Sequence, residues 1–175
     1  FNGAIFRSEY DDKQESILIP VDLTNVATVV RNASSLEMDG IELELMYQVT
    51  EAWDLMVTYG YLKSEYANYF ADLTGDGVIT DNSNLVPRNT PENTFGITTS
   101  YTTQIGNGEL KGRVSYRFRD EMESESQNRP EGSLDSIENV NATISYSVEN
   151  YSITAWGRNL TDEREQRWST IGGLT

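Results

Sequence analysis

The sequence contains no cysteine and no histidine. Without cysteine there is no disulfide and no thiolate metal site. Without histidine the commonest zinc ligand and the commonest general base are missing. No Ser/His/Asp or Cys/His nucleophilic set can be assembled. Paired carboxylates remain, as at Glu42 and Glu44, but nothing beside them points to glycoside chemistry, so the expectation is that the chain is not an enzyme. Long apolar runs are missing too. None approaches the roughly 18–20 residues of a membrane helix. That excludes helical spans but not a membrane barrel, whose strands are apolar only at every second position. Basic residues are scarce: 13 against 28 acidic, a net charge of −15, which excludes nucleic-acid binding through a basic face. A length of 175 residues suits one domain. No signal peptide is visible, and a first residue of Phe1 reads as the interior of a longer protein.

What is present is alternation, the period of a strand with two unlike faces. Ile41, Leu43, Leu45, Tyr47 and Val49 alternate with Glu42, Glu44, Met46 and Gln48. Trp53, Leu55, Val57, Tyr59 and Tyr61 alternate with Asp54, Met56, Thr58 and Gly60. The same pattern recurs from Phe95 to Thr102, from Leu110 to Arg119 and from Val140 to Val148. A further strand runs from Tyr151 to Arg158, and a less regular one from Phe1 to Tyr10, where both faces carry apolar residues. The expectation is all-β and antiparallel, with about seven strands.

The connections come in two kinds. Thr50-Glu51-Ala52, Gly106-Asn107-Gly108 and Glu149-Asn150 are short and suit tight hairpins. The others, expected at about 11–34, 70–93, 120–137 and 159–175, are long and hold most of the uncompensated acid. Short turns at one end and long loops at the other are the habit of outer-membrane barrels. A soluble antiparallel sandwich also alternates. Runs of about 9–11 alternating residues and aromatics near strand ends (Trp53, Tyr61, Tyr116, Tyr146, Tyr151) favour the membrane.

Several segments then resemble one family. Met38-Asp39-Gly40-Ile41-Glu42-Leu43-Glu44-Leu45 resembles the G-x-E-x-E strand of TonB-dependent receptors, and Trp53 to Leu62 the strand that follows it there. Pro87-Arg88-Asn89-Thr90-Pro91 resembles the family's P-x-x-T-P return. Val140-Asn141-Ala142 and Trp156-Gly157-Arg158-Asn159-Leu160-Thr161-Asp162 resemble its last hairpin. The resemblance implies part of an up-and-down barrel of 22 strands in the bacterial outer membrane, closed around an N-terminal plug and driven through TonB. It implies a small-molecule nutrient such as a siderophore, cobalamin or an oligosaccharide. Lipid and lipopolysaccharide are the implied surroundings. The family's final strand, plug and TonB-contacting segment are expected outside this chain.

Candidate ligand contacts are few. The stripe Lys111, Arg113, Arg117 and Arg119 faces inward and can steer anions along a lumen, or pair with acids on neighbouring strands. Tyr66, Tyr69, Phe70 and Trp168 near the outer rim can stack on a ligand, or simply pack. The loop Asp72-Leu73-Thr74-Gly75-Asp76-Gly77-Val78-Ile79-Thr80-Asp81 resembles the start of an EF-hand calcium loop. Asp72, Thr74, Asp76 and Asp81 offer side-chain oxygens and Val78 its carbonyl, for a structural calcium ion. Against it, Ser83 stands where a bidentate glutamate is required, and the loop also reads as a plain acidic turn. The N-x-S/T sites at Asn32, Asn141, Asn150 and Asn159 carry little weight, Asn141 lying inside a strand. The leading expectation is a transport receptor. A passive porin-like or adhesin-like barrel and a soluble β-sandwich binding module stand as alternatives.

Overall fold

A computed structural model describes residues 1–20 and 26–164. Among these it contains ten strands and one short 3-10 turn, Pro130–Gly132. The long strands are β1 (Asn2–Pro20), β2 (Val26–Thr50), β3 (Trp53–Ala71), β5 (Asn93–Ile105), β6 (Gly108–Arg119), β9 (Ile137–Val148) and β10 (Tyr151–Gly157). They pair antiparallel in the order β1-β2-β3-β5-β6-β9-β10, an up-and-down meander. The two-residue strand β4 (Thr80–Asp81) pairs β3, and β7 (Met122–Glu123) pairs β8 (Ser133–Leu134). The seven long strands are those expected from alternation.

The register sorts the side chains onto two unlike faces. Leu45, Val57, Ile97, Tyr116 and Val140 form one cross-strand row over five strands. One residue further along lies the row Glu44, Thr58, Gly96, Arg117 and Asn139. Successive side chains point to opposite faces, so the first row is wholly apolar and the second polar. The apolar face is nine residues tall on each complete crossing: Ile41–Val49, Trp53–Tyr61, Leu110–Phe118 and Val140–Val148. About 9–11 residues is what a tilted strand needs to cross a bilayer. The apolar face is exposed, with Ile5 at 85% and Ile153 at 73%, because nothing among the described residues covers it. The sheet is a single curved layer, and closure into a ring is not seen within these strands.

One expectation is corrected. The stretch expected as a loop at 11–34 is mostly strand, since β1 runs to Pro20 and β2 starts at Val26. The physical reason is a pair of register shifts between Tyr10 and Gln14, with Asp12 in the left-handed region at φ 53°. Below the shifts the inward residues of β1 are even-numbered, as where Phe6 lies over Gly40. Above them they are odd-numbered, as at buried Glu15 and Ile17. A β-bulge inverts the parity, and a sequence read for one unbroken alternation loses the strand there. Similarly, β3 continues to Ala71, past the start expected for the second loop.

These extensions carry the chain's main buried hydrophobic cluster. Ile17, Leu36, Tyr66, Tyr69 and Ala71 are buried together, with Ile19, Met38, Leu73 and Leu85 packed against them. A second bulge makes this possible: the β2–β3 register shifts between Ser35 and Leu36. It brings Tyr66 and Tyr69 onto one face although they are three residues apart, with ring centroids 4.7 Å apart.

Lower down, Gly40 leaves room for the Phe6 ring on the neighbouring strand, where any Cβ would collide with it. Gly40→Val is therefore expected to displace Phe6 and destabilise the β1–β2 pairing by about 1–3 kcal/mol. The check is the urea midpoint of the refolded intact barrel; an unchanged midpoint would remove the Phe6–Gly40 contact from the account.

Candidate functional site

Two places on the inner face gather functional side chains. The first is a groove of about 770 Å³ across β2, β3, β5, β6 and β9. Its floor is Gly60 and Gly96, and its lining includes Glu42, Thr58, Thr94, Arg117, Arg119 and Asn139. The floor is made by reciprocal Gly–Thr contacts. A Cβ on Gly60 would lie 2.7 Å from Thr94 Oγ1, and one on Gly96 2.6 Å from Thr58 Oγ1. Neither glycine can be enlarged without lifting the threonine opposite. Glu42 stands on one side of this floor and Arg119 on the other, in one cross-strand row through Gly60 and Thr94. Three ladder spacings separate them, about 14 Å. At that distance the charges do not neutralise one another. Among the described residues Glu42, Glu44 and Arg117 have no ion-pair partner. Arg119 is fixed differently: its guanidinium donates to the backbone carbonyls of Asp120 (2.7 Å) and Asp135 (3.1 Å). It thereby ties the top of β6 to the loop above it.

The second place is the outer end of β1–β3, where the loops at 72–92 and 120–136 fold onto the inner face. Glu15 is fully buried there and accepts a hydrogen bond from the Tyr66 hydroxyl at 3.0 Å. It is paired with Lys13 beside it and with Arg88 of the first loop, whose Nε lies 3.6 Å from Glu15 Oε2. The Ser126 hydroxyl of the second loop donates to the Ser16 carbonyl at 3.1 Å, and Gln127 donates to the Leu73 carbonyl at 2.7 Å. Asn128 bridges the two loops, accepting from the Val86 N–H (2.5 Å) and donating to the Val86 carbonyl (2.9 Å). Burial pushes the Tyr66 and Tyr69 hydroxyls above the usual phenol range, and the Glu15 charge adds to the effect at Tyr66. Burial likewise raises the Glu123 carboxyl. The whole forms a docked cap.

The expected site residues fall out as follows. Arg117 and Arg119 share the groove, while Lys111 and Arg113 continue the inward stripe below them on β6. Tyr66 and Tyr69 do not stack on anything from outside: they are 5% and 0% exposed and serve as the packed centre of the cap. Phe70 is exposed, and Trp168 lies outside the described residues. In the loop of Asp72 the carboxylate accepts from the N–H groups of Thr74 (3.1 Å), Gly75 (2.7 Å) and Gly77 (2.8 Å). Asp76 accepts from the Val78 N–H and Asp81 from Ser83. Each acid closes its own turn, and no group of three or more metal-ligating His, Cys, Asp or Glu residues is assembled among the described residues. Sequence reasoning missed Glu15, Arg88 and Ser126. No local pattern marks them, because they meet only through the bulged register and loops far apart in the chain.

Comparison with known proteins places this geometry. The family model described as TonB dependent receptor-like, beta-barrel matches residues 1–160. Among solved structures, the ferric yersiniabactin uptake receptor FyuA from Yersinia pestis matches at a TM-score of 0.72 and 16% identity, over 98% of this chain and 24% of that one. The siderophore receptor PiuA from Acinetobacter baumannii matches at 0.68 and 24% identity, over 93% of this chain and 22% of that one. At such identities the two structures show the shared fold. The chain spans about a quarter of the length of either receptor.

Two tests follow from the cap. Glu15→Ala leaves Lys13, Arg88 and the Tyr66 hydroxyl without their shared acceptor. Because the two cations are partly exposed, the expected loss is about 2 kcal/mol, below that of a fully buried pair. Hydrogen exchange over 72–92 and 120–132 should accelerate roughly thirtyfold, which is that loss as a rate ratio, with the strands below Tyr61 unchanged; a cap that exchanges as before would disprove the Glu15 hub. The Asp72 carboxyl is held below its usual range, first by the Gly77 N–H and then by those of Gly75 and Thr74. A depressed carboxylate stabilises above its unfolded value, and that contribution is lost as pH falls through the folded one. Protease resistance of the 72–81 turn is thus expected to persist down to the ordinary carboxylate range and to vanish only below it. Loss already near pH 5–6 would contradict the assignment.

Proposed function

This chain belongs to the TonB-dependent receptor β-barrel family, and from that premise we propose that it forms part of the wall of an outer-membrane active-transport receptor. The receptor takes up a scarce small-molecule nutrient of the siderophore class, with energy supplied through TonB. The observation that carries the reading is the division of the sheet into an exposed apolar face and a polar face bearing a charged groove. A soluble sandwich would cover its apolar face with a second sheet; here, among the described residues, every long strand joins a single layer and the apolar side stays open.

In this reading the groove side chains act by steering and contact and make no bonds. Arg117 and Arg119 present cations to an anionic chelate entering the lumen, where low-dielectric walls strengthen the field. Glu42 and Glu44 face the opposite side of the groove and favour cationic or hydroxyl groups. The cap over β1–β3 shapes the mouth. A plug and a TonB-contacting segment complete the receptor beyond this chain, with lipid and lipopolysaccharide around it.

The test is uptake of labelled ferric siderophores by cells producing the intact receptor. Uptake should stop when the proton gradient is collapsed while surface binding survives. Uptake that continues without the gradient would sink active transport and favour a passive barrel. Within that assay Arg117→Glu should weaken binding of an anionic chelate roughly tenfold, the order expected for reversing one partly screened contact. Unchanged affinity would take Arg117 out of the ligand's path.

A further inference from the structure

The outward face changes character abruptly part-way up β1–β3. Ile5, Ile41 and Tyr61 form one cross-strand row, the uppermost apolar one. Two residues higher the same face carries Arg7, Asp39 and Lys63, again one row. Two higher still it carries Glu9, Glu37 and Glu65. Arg7 pairs with Glu9 at 3.0 Å, Glu37 at 2.6 Å and Asp39 at 3.6 Å, and Lys63 pairs with Glu65 at 2.8 Å. All six side chains are between 44% and 65% exposed, so the band lies open. The band's net charge is two cations against four acids, −2. On β9 the outward face turns from apolar to charged between Val140 and Glu138, which pairs across to Phe118 and so lies one cross-strand row below Ile41 and Tyr61.

Hydrocarbon does not admit such a band. A charged side chain on the lipid face of a barrel costs about 2–4 kcal/mol at the midplane and little at the interface. The row below is as unsuited to water; it ends in Tyr61, and the next outward row down, Leu43, Tyr59, Phe95 and Phe118, adds the aromatics that interface girdles use.

We infer that the outer edge of the membrane hydrocarbon runs between the Ile5–Ile41–Tyr61 row and the Arg7–Asp39–Lys63 row. The charged band is then the surface that meets the headgroups of the outer leaflet. Everything above it stands in water: Arg7–Pro20 of β1, 26–39 of β2 and 63–71 of β3. At about 3.3 Å per residue and a tilt near 40°, the β2 extension rises roughly 35 Å above that edge. The cap around Glu15 is thus extramembrane, and its loops pack on the inner side of a projecting ribbon.

The inference rests on the outward face being the lipid face, and one experiment separates the two. The probe is a nitroxide placed by single cysteines at outward β2 positions 37, 39, 41, 43, 45 and 47 of the intact receptor. It is reconstituted in phospholipid bilayers and read for collision with oxygen and with a nickel chelate. The expected result is oxygen-dominated relaxation at 41, 43, 45 and 47 and chelate-dominated relaxation at 39 and 37, the ratio inverting between 41 and 39. Inversion anywhere else along 37–47 would overturn the placed boundary while leaving the lipid-facing reading intact. Chelate-dominated relaxation at all six positions would overturn both.

Discussion

The constraint on which the structure depends is that a backbone crossing lipid must satisfy all its hydrogen bonds within the protein. A meander of antiparallel strands does this pair by pair, and each pair fixes a register. Once Ile41 is set opposite both Ile5 and Tyr61, every side chain on the three strands below the bulges is assigned to one face. Slipping any strand by one residue would put Glu42, Glu44 or Arg117 outward and bring leucines into the lumen. The charge pattern of the groove and the apolar exterior are therefore one fact about pairing.

Above the membrane the constraint is relaxed, and the structure responds by breaking its own rule. Water solvates free backbone groups, so bulges at Tyr10–Gln14 and at Ser35–Leu36 are tolerated there. The inversion of parity they introduce turns Glu15, Ile17, Tyr69 and Ala71 inward, under the loops. The result is a small conventional core beside a buried acid, built on a scaffold that elsewhere among the described residues has no such cluster. Its Glu15 is held from three places: Lys13 on its own strand and Tyr66 on β3 bond one carboxylate oxygen, and Arg88 on the loop faces the other at ion-pair distance.

How much of this was legible in the sequence follows the same division. The membrane-level strands were readable almost residue by residue, because the pattern from Trp53 to Tyr61 or Leu110 to Phe118 is unbroken and long. The tight turns at 51–52, 106–107 and 149–150 were equally plain. The extension of β1 and β2 was not, since a period-two reading fails where Asp12 shifts the phase. The aromatics Tyr66 and Tyr69 read as rim residues, but their burial depends on Ile17 and Leu36 of the bulged neighbouring strands and on Leu85 of the folded-back loop, which local pattern cannot place. The acids of the Asp72 loop offered two readings of the same oxygens; the backbone geometry shows them engaged with their own N–H groups.

The cap also has a bearing on how such a wall changes over generations. Its contacts tie Ser16 to Ser126, Glu15 to Arg88, Leu73 to Gln127 and Val86 to Asn128. Glu15, Arg88, Ser126, Gln127 and Asn128 supply the side chains, the other ends being backbone groups or one another. Substitution at any of these five strands its partner in another segment, so the three segments drift together as a block. None of them touches the apolar rows below. A lineage can accordingly remodel the mouth by exchanging the block wholesale while the lipid-facing surface stays as it was.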